Sequence, residues 1–384
     1  MKNSITALVF LVTVLPVYSQ DKTKRIDSLL RTYYKENEPG AFVLVSQNNQ
    51  TVFKKGYGLA NLQTNVKING STLFNIGSLT KQFTAFCIVQ LASKQQLSLQ
   101  DKLIKFFPDF NPAIGKQVTL QQLLTHCSGI TDHYAFTDTN LVKHATDKDV
   151  LNAVKQIDHT YFTPGTKYRY SNTAYCLLAL VVEKVSGMSY HNYIKKNIFD
   201  RLAMQHSVLL QVGQPIYHQA FGYEADSATR QFSKLDANEA IFFSTEGDGG
   251  IYTSAEEYLH WFQSLQHPLH ANKSIVESCR SAQFIIDPVS KLSYGYGWFV
   301  SEKDSATAVY HSGSNGGFRA MVFSIPSKNY LVSVFSNRTG IDLEKMVQQI
   351  NTLMGVTNNS FTKVEALVSF INSSPNFAPC KEIL

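Results

Sequence analysis

Cysteine is scarce and unpaired in this chain. Five occur in 384 residues: Cys87, Cys127 and Cys176 sit inside apolar segments, while Cys279 and Cys380 stand far apart. An odd count without recurring spacing argues against a disulfide framework. No Cys/His pairs stand at zinc-binding intervals, so neither disulfide nor metal is expected. Basic blocks are missing too. The net charge of +6 is spread along the sequence, which gives a nucleic-acid partner no footing. Internal repeats are absent, and one apolar run stands out, at the start. "MKNSITALVFLVTVLPVYSQ" has a lysine, an apolar stretch from Ile5 to Val17, then Val17-Tyr18-Ser19, a leader pattern too short to span a bilayer comfortably. No cysteine follows it for lipid attachment. Residues 1–19 are therefore expected to be a signal peptide, and the protein to be secreted or periplasmic with no integral membrane domain.

What remains is ordinary globular composition, 44% hydrophobic and 17% charged, with room for one large domain or two moderate ones. "KTKRIDSLLRTYYKEN" repeats apolar residues at helical spacing, and "GAFVLVSQNNQTVFKKGYGLAN" reads as a hairpin turning at its Gln-Asn-Asn-Gln. A helix is predicted from Ser78 to about Leu97, and mostly helical pattern continues to about residue 280. Within it, "TLQQLLTHCSG" opens on Thr119 and closes on Gly129, and "SNTAYCLLALVVEKVSG" closes on Gly187. Ser254 and Glu257 read as a capping box. From residue 294 strand periodicity returns, turning at Pro326–Asn329, before a closing helix in "DLEKMVQQINTLM". Strands at both ends with helices between predict a mixed α/β (α+β) fold. One antiparallel sheet lobe (about 25–80 and 285–355) is flanked by helices, with an inserted all-helical lobe (about 80–285) and a cleft between. The tail, 356–384, has no assigned role.

Three clusters bear chemistry. Ser78 and Lys81 lie three apart, on one face of the predicted helix. Ser-x-x-Lys alone is weak, since Ser19/Lys22 and Ser360/Lys363 also fit it. Context favours Ser78. A helix N-terminus stabilises an oxyanion, Gly77 admits close approach, and Leu79, Phe83 and Phe86 would desolvate Lys81 and suppress its charge. The second cluster, "PGTKYRYSNTAY", offers the Tyr170 hydroxyl for proton relay and the Asn172 amide for a carbonyl. In the third, "YHSGSNGGF", a histidine, small hydroxyls and glycines occupy a strand, where glycine marks close approach of a ligand or another backbone.

In this order, Ser78-Leu79-Thr80-Lys81, Tyr170-Ser171-Asn172 and His311-Ser312-Gly313 resemble the motifs of the serine β-lactamase and D-alanyl-D-alanine peptidase superfamily. The Tyr-x-Asn form is similar to the class C branch and its carboxypeptidase and esterase relatives. "LLTHCSGI", "GGIYTSAEEY" and "YGYGWFV" add to the likeness, which covers roughly residues 25–350. The resemblance implies a β-lactamase/transpeptidase-like fold and an acyl-enzyme on Ser78, with Lys81 and Tyr170 sharing the proton work. It also implies an oxyanion hole from the backbone N–H groups of Ser78 and Ser314, with Asn172, His311 and Gly313 binding substrate and no cofactor. Which of Lys81 and Tyr170 is the base stays open, and His311 would bind a carboxylate or assist proton transfer. His311 stands where many β-lactamases have lysine, a permanent cation, and the His form looks more like D-amino-acid-specific peptidases and esterases. "RLAM" at 201–204 departs from the family's usual Pro-Leu-Gly-Met. The expected activity is an exported D-alanyl-D-alanine carboxypeptidase-like or D-amino-acid amide peptidase acting on a small amide or cell-wall peptide. The alternatives are a class C-like β-lactamase or esterase, and a non-catalytic penicillin-binding sensor. "HYAFTDTN", "GYEADSATRQ" and "FFSTEGDGG" are expected to wall the pocket.

Overall fold

A computed structural model describes residues 15–136, 144–211, 213–226, 228–229, 231–235, 244–266, 273–302 and 306–356. Most of the leader-like stretch and the tail lie outside them, as does Cys380. Helix α1 (Leu15–Tyr33) leads into the hairpin β1 (Ala41–Gln47) and β2 (Gln50–Tyr57). Asn48 and Asn49 take φ of 51° and 62°, as a two-residue hairpin turn requires. Strands β3 (Leu59–Asn61) and β4 (Val66–Lys67) pair, and β5 (Phe74–Asn75) delivers the chain to α2 (Thr80–Ser93). The helical region follows with α3 (Leu103–Phe106), α4 (Pro112–Gly115), α5 (Leu120–Leu124), α6 (Asp147–Val154), α7 (Asn172–Ser186) and α8 (Tyr190–Ile194).

This region is not all-helical. Strands β6 (Val208–Leu209) and β9 (Ile251–Thr253) join β5 in a three-stranded sheet, with β7 (Tyr223–Ala225) and β8 (Phe232–Lys234) as a hairpin between them in sequence. At two or three residues each, these strands are too short to print a period. Helices α9 (Ala255–Gln266) and α10 (Lys273–Cys279) complete the lobe. Among the described residues no helix is long and apolar enough to cross a membrane.

The main sheet takes its remaining strands from the C-terminal part. They are β10 (Phe284–Asp287), β11 (Leu292–Tyr294), β12 (Phe299–Ser301), β13 (Ala308–Asn315), β14 (Phe318–Ile325) and β15 (Tyr330–Ser336), and α11 (Leu343–Met354) follows. The order is β10-β11-β12-β13-β14-β15-β1-β2, antiparallel throughout, with β1 docked on β15 from Ala41↔Ser336 to Gln47↔Tyr330. Both faces of β1 are buried. Ala41, Val43 and Val45 pack toward the cluster holding α1 and α11, and Phe42 and Leu44 toward the helical lobe. Helix α11 supplies Leu343, Met346, Val347, Ile350 and Met354, one apolar stripe, and Asp342 caps it by accepting from the Lys345 N–H at 2.9 Å. Helix α2 is buried on all sides from Thr80 to Leu91, as the central post of the lobe. Phe83 stacks on Trp261 with centroids 4.3 Å apart.

Candidate active site

The nucleophile position is set by strand pairing. Strand β5 pairs with β9, and the chain then turns at Gly77, whose N–H donates to Asn75 Oδ1 at 2.8 Å and whose φ is +51°. Ser78 sits half-buried in a 3-10 turn, Gly77–Leu79, that runs straight into α2. It is therefore one turn ahead of the α-helix rather than its first residue. Across from it lies β13. Pairing with β12 stops at Tyr310, so the edge beyond His311 is open toward the Ser78 turn. The approach is tight: a Cβ on Gly77 would lie 2.7 Å from the Ser314 nitrogen, and one on Gly313 would lie 3.2 Å from the Ser78 nitrogen. Backbone nitrogens of Ser78 and Ser314 thus flank one gap, the arrangement an oxyanion needs.

Lys81 is fully buried, and its Nζ lies 3.0 Å from Ser78 Oγ, 2.8 Å from Asn172 Oδ1 and 2.8 Å from the Asp248 carbonyl oxygen. Leu79, Phe83 and Phe86 are buried as read, but Phe83 and Phe86 pack on Trp261; the rings beside the amine are Tyr170 and Tyr175, and the amine itself meets three oxygens. As an ammonium it fills its three donor positions; as a neutral amine it can accept the serine proton along the same line. Nζ also stands 5.0 Å from the centroid of the Tyr170 ring. The Tyr170 hydroxyl is buried and closes no hydrogen bond of good geometry among the described residues. Burial raises its pKa, while the Lys81 charge and the nearby Ser78 and Lys81 groups work to lower it. Asn172 opens α7, with Ser171 as cap accepting from the Ala174 N–H. Its Oδ1 is taken by Lys81, which leaves the Nδ2 amide for a substrate carbonyl.

His311 departs from expectation. Its Nδ1 donates to the Ser312 carbonyl at 2.6 Å, so Nε2 accepts from the Tyr294 hydroxyl at 3.0 Å. The ring is buried, and burial, aided by the charge on Lys81, pushes its pKa down to about 3. A neutral ring with both nitrogens engaged offers no cation to a carboxylate, which bears on the first of the two roles the resemblance implied for it, carboxylate binding or help in proton transfer.

The sequence pattern overlooked several partners. Asp132 Oδ2 accepts from the Asn172 N–H at 2.6 Å, fixing the start of α7. Tyr294 donates its hydroxyl to His311 Nε2. His126 Nδ1 accepts from the Ser171 N–H at 3.1 Å. His126, inside "LLTHCSGI", and Tyr294, the first residue of "YGYGWFV", lay in stretches that added to the family likeness, but neither was given a role there; Asp132 had no signal. Behind Lys81, the buried side chains of Asp147, Cys176 and Asp248 form the one group among the described residues with metal-ligand types close together. It is bonded within the protein: Asp147 accepts from the Glu246 and Gly247 N–H groups, and the Cys176 thiol reaches Asp248 Oδ1 at 3.6 Å. Cys87, Cys127, Cys176 and Cys279 are buried free thiols.

Beyond Ser314 the strand ends at a cavity of about 380 Å³ lined by Gly316, Gly317, Leu210, Tyr252, Phe318 and Lys234, among others. Of the expected wall segments, Gly222 and Ser244 reach it, and residues 137–140 lie outside the described residues.

Comparison with known proteins agrees with this fold. The family model described as Beta-lactamase matches residues 26–350. Protein flp of Staphylococcus aureus is 29% identical over 356 residues, covering 91% of this chain and 70% of that protein. Penicillin-binding protein 4* of Bacillus subtilis is 28% identical over 331 residues, covering 83% and 72%. Among solved structures, the octameric penicillin-binding protein homologue from Pyrococcus abyssi superposes with a TM-score of 0.76 at 26% identity, covering 88% of this chain and 77% of that one.

Proposed function

This chain belongs to the beta-lactamase family and is a serine hydrolase, and from that premise we propose that it hydrolyses the amide of a D-amino acid or D-peptide through an acyl-enzyme on Ser78. The observation that carries the reading is the contact of Lys81 Nζ with Ser78 Oγ at 3.0 Å, with the buried Tyr170 hydroxyl facing the same pair. Ser78 Oγ attacks the carbonyl carbon, and its proton passes to the Lys81–Tyr170 pair. The developing oxyanion is held by the Ser78 and Ser314 N–H groups. Collapse breaks the C–N bond, and the leaving amine takes the proton back by way of Tyr170. Water then attacks the ester in the reverse sense, gives its proton to the same pair and frees Ser78. Where the substrate is a D-peptide, Asn172 Nδ2 donates to the carbonyl of the neighbouring peptide bond rather than the attacked one, and the cavity beyond Gly316 takes the acyl side chain.

The choice of substrate rests on His311. A carboxypeptidase or β-lactamase substrate brings a carboxylate, and a neutral His311 bonded to Ser312 and Tyr294 gives it no counter-charge. An uncharged amide or ester needs none. The leader-like pattern of residues 1–19 supports export.

The test uses protein recovered outside the cytoplasm, with its first residue read by N-terminal sequencing. A fluorophosphonate should label wild type and not Ser78→Ala. The kcat/KM for D-amino-acid amides should exceed that for peptides ending in a free D-Ala carboxylate and that for a chromogenic β-lactam. Absence of Ser78-dependent labelling would overturn the mechanism, and faster turnover of the carboxylate peptide would overturn the substrate.

A further inference from the structure

We propose that His126 is a positioning residue for Tyr170, clamping the main chain on both sides of it. The backbone carbonyl of His126 accepts from the Arg169 N–H at 2.9 Å, and its Nδ1 accepts from the Ser171 N–H at 3.1 Å. Tyr170 is thus the single residue between two anchored nitrogens. The imidazole lies against the tyrosine ring, centroids 4.2 Å apart and tilted 32°, and also meets Tyr294 at 4.7 Å. The inference rests on the proposed proton-handling role of Tyr170.

Two further features set this histidine apart from packing. Its φ is +56°, a left-handed conformation that costs a non-glycine residue about 1 kcal/mol or more. It is held there because that turn ends α5 and aims both the carbonyl and the ring at the Tyr170 loop. In addition, Nδ1 must be the unprotonated nitrogen, since it accepts from an N–H. The ring proton is then on Nε2, which is buried and has no partner among the described residues. A side chain kept for packing alone would not leave a buried donor unsatisfied. The cost is accepted because the other nitrogen is needed. Burial, with the Lys81 charge, drives the imidazole pKa well below its usual value, so the acceptor stays available.

The reasoning makes three substitutions behave differently. In His126→Asn the amide oxygen takes the place of Nδ1, and asparagine tolerates the left-handed backbone. In His126→Gln the amide sits at the Nε2 position, leaving the Ser171 N–H without an acceptor. His126→Leu fills the volume with no acceptor at all. The asparagine variant should keep kcat within about threefold, while the glutamine and leucine variants should lose about tenfold or more in kcat and in fluorophosphonate labelling rate, with KM within about twofold. Circular dichroism and thermal melts establish that each variant is folded. Activity that follows side-chain volume instead, with leucine and glutamine above asparagine, would overturn the proposal, as would equal activity of all three. Tyr170→Phe is measured alongside. If it keeps wild-type kcat, the role given to Tyr170 fails; if it is inactive while folded His126→Gln is not, only the clamp fails.

Discussion

Gly313→Ala probes the reactive gap most directly. A methyl group on Gly313 would stand 2.0 Å from the Ile76 carbonyl oxygen, where real contacts essentially never close below 3.0 Å. Both sides of this contact are backbone, so no flexible side chain can absorb it. The strand and the Ser78 turn must separate by about 1 Å, and a misplacement of about that size costs roughly 10²-fold in rate. Because the separation spreads the Ser78 and Ser314 nitrogens, the loss resembles removal of one oxyanion donor, about 10²–10³-fold in kcat. The assay is steady-state kcat on a chromogenic ester together with the rate of Ser78 labelling. Gly187→Ala is the control: its φ is +69° at the end of α7, and among the described residues nothing lies within 4 Å of the added methyl. It should cost about 1 kcal/mol of stability and leave kcat alone. Gly313→Ala retaining kcat within threefold would refute the assignment of β13 as the wall of the oxyanion site.

Two pH effects follow from buried and paired groups. The His311 ring stays neutral in the fold down to about pH 3, whereas in the unfolded chain it takes a proton near 6.5. The unfolded state therefore binds more protons between those values, and stability falls as pH drops below 6.5. The slope is up to about 1.4 kcal/mol per pH unit. His311→Gln should shed that share of the acid loss in urea melts at pH 6.5 and 5; equal losses in the two proteins would count against a neutral His311. For Asp27, burial works to raise the carboxyl, but hydrogen bonds from Lys55, Tyr57 and Arg31 outweigh it and hold the pKa at about 2. Its stabilisation is full above about pH 4 and is lost as pH falls through 2. Because the cluster is partly exposed, Asp27→Asn should cost only about 1 kcal/mol at pH 7, and the gap should close toward pH 2. A gap independent of pH would assign the effect to packing.

The features legible in the sequence were those written in local chemistry. Thr119 caps α5, Gly187 ends α7 with φ +69°, and the Asn48-Asn49 turn closes its hairpin. Three motifs more than two hundred residues apart in total span converge, bringing Ser78, Lys81, Tyr170, Asn172, Gly313 and Ser314 around one gap. What was not legible depends on tertiary partners. Helix α5 ends at Leu124, short of Gly129, because His126 turns left-handed to reach the Tyr170 loop. Ser254 Oγ does accept from the Glu257 N–H, but the Glu257 carboxylate leaves the capping box for His206 and Ser207, which only the fold brings near. His311 looked available for a carboxylate until the pairing of β11, β12 and β13 set Tyr294 against it.

The docking of β1 on β15 also governs when the enzyme comes to exist. Ser336 Oγ donates to the Gly40 carbonyl, partners 296 positions apart, and the Ser78 turn meets a strand from the far end of the chain. Closing a loop of that length costs about 5 kcal/mol of chain entropy before its contacts return anything. Such topology folds slowly, with the early strands waiting for the late ones. During synthesis the serine emerges long before Ser314, so a partly made chain has a nucleophile with no oxyanion site. The reactive residue is made early and armed last.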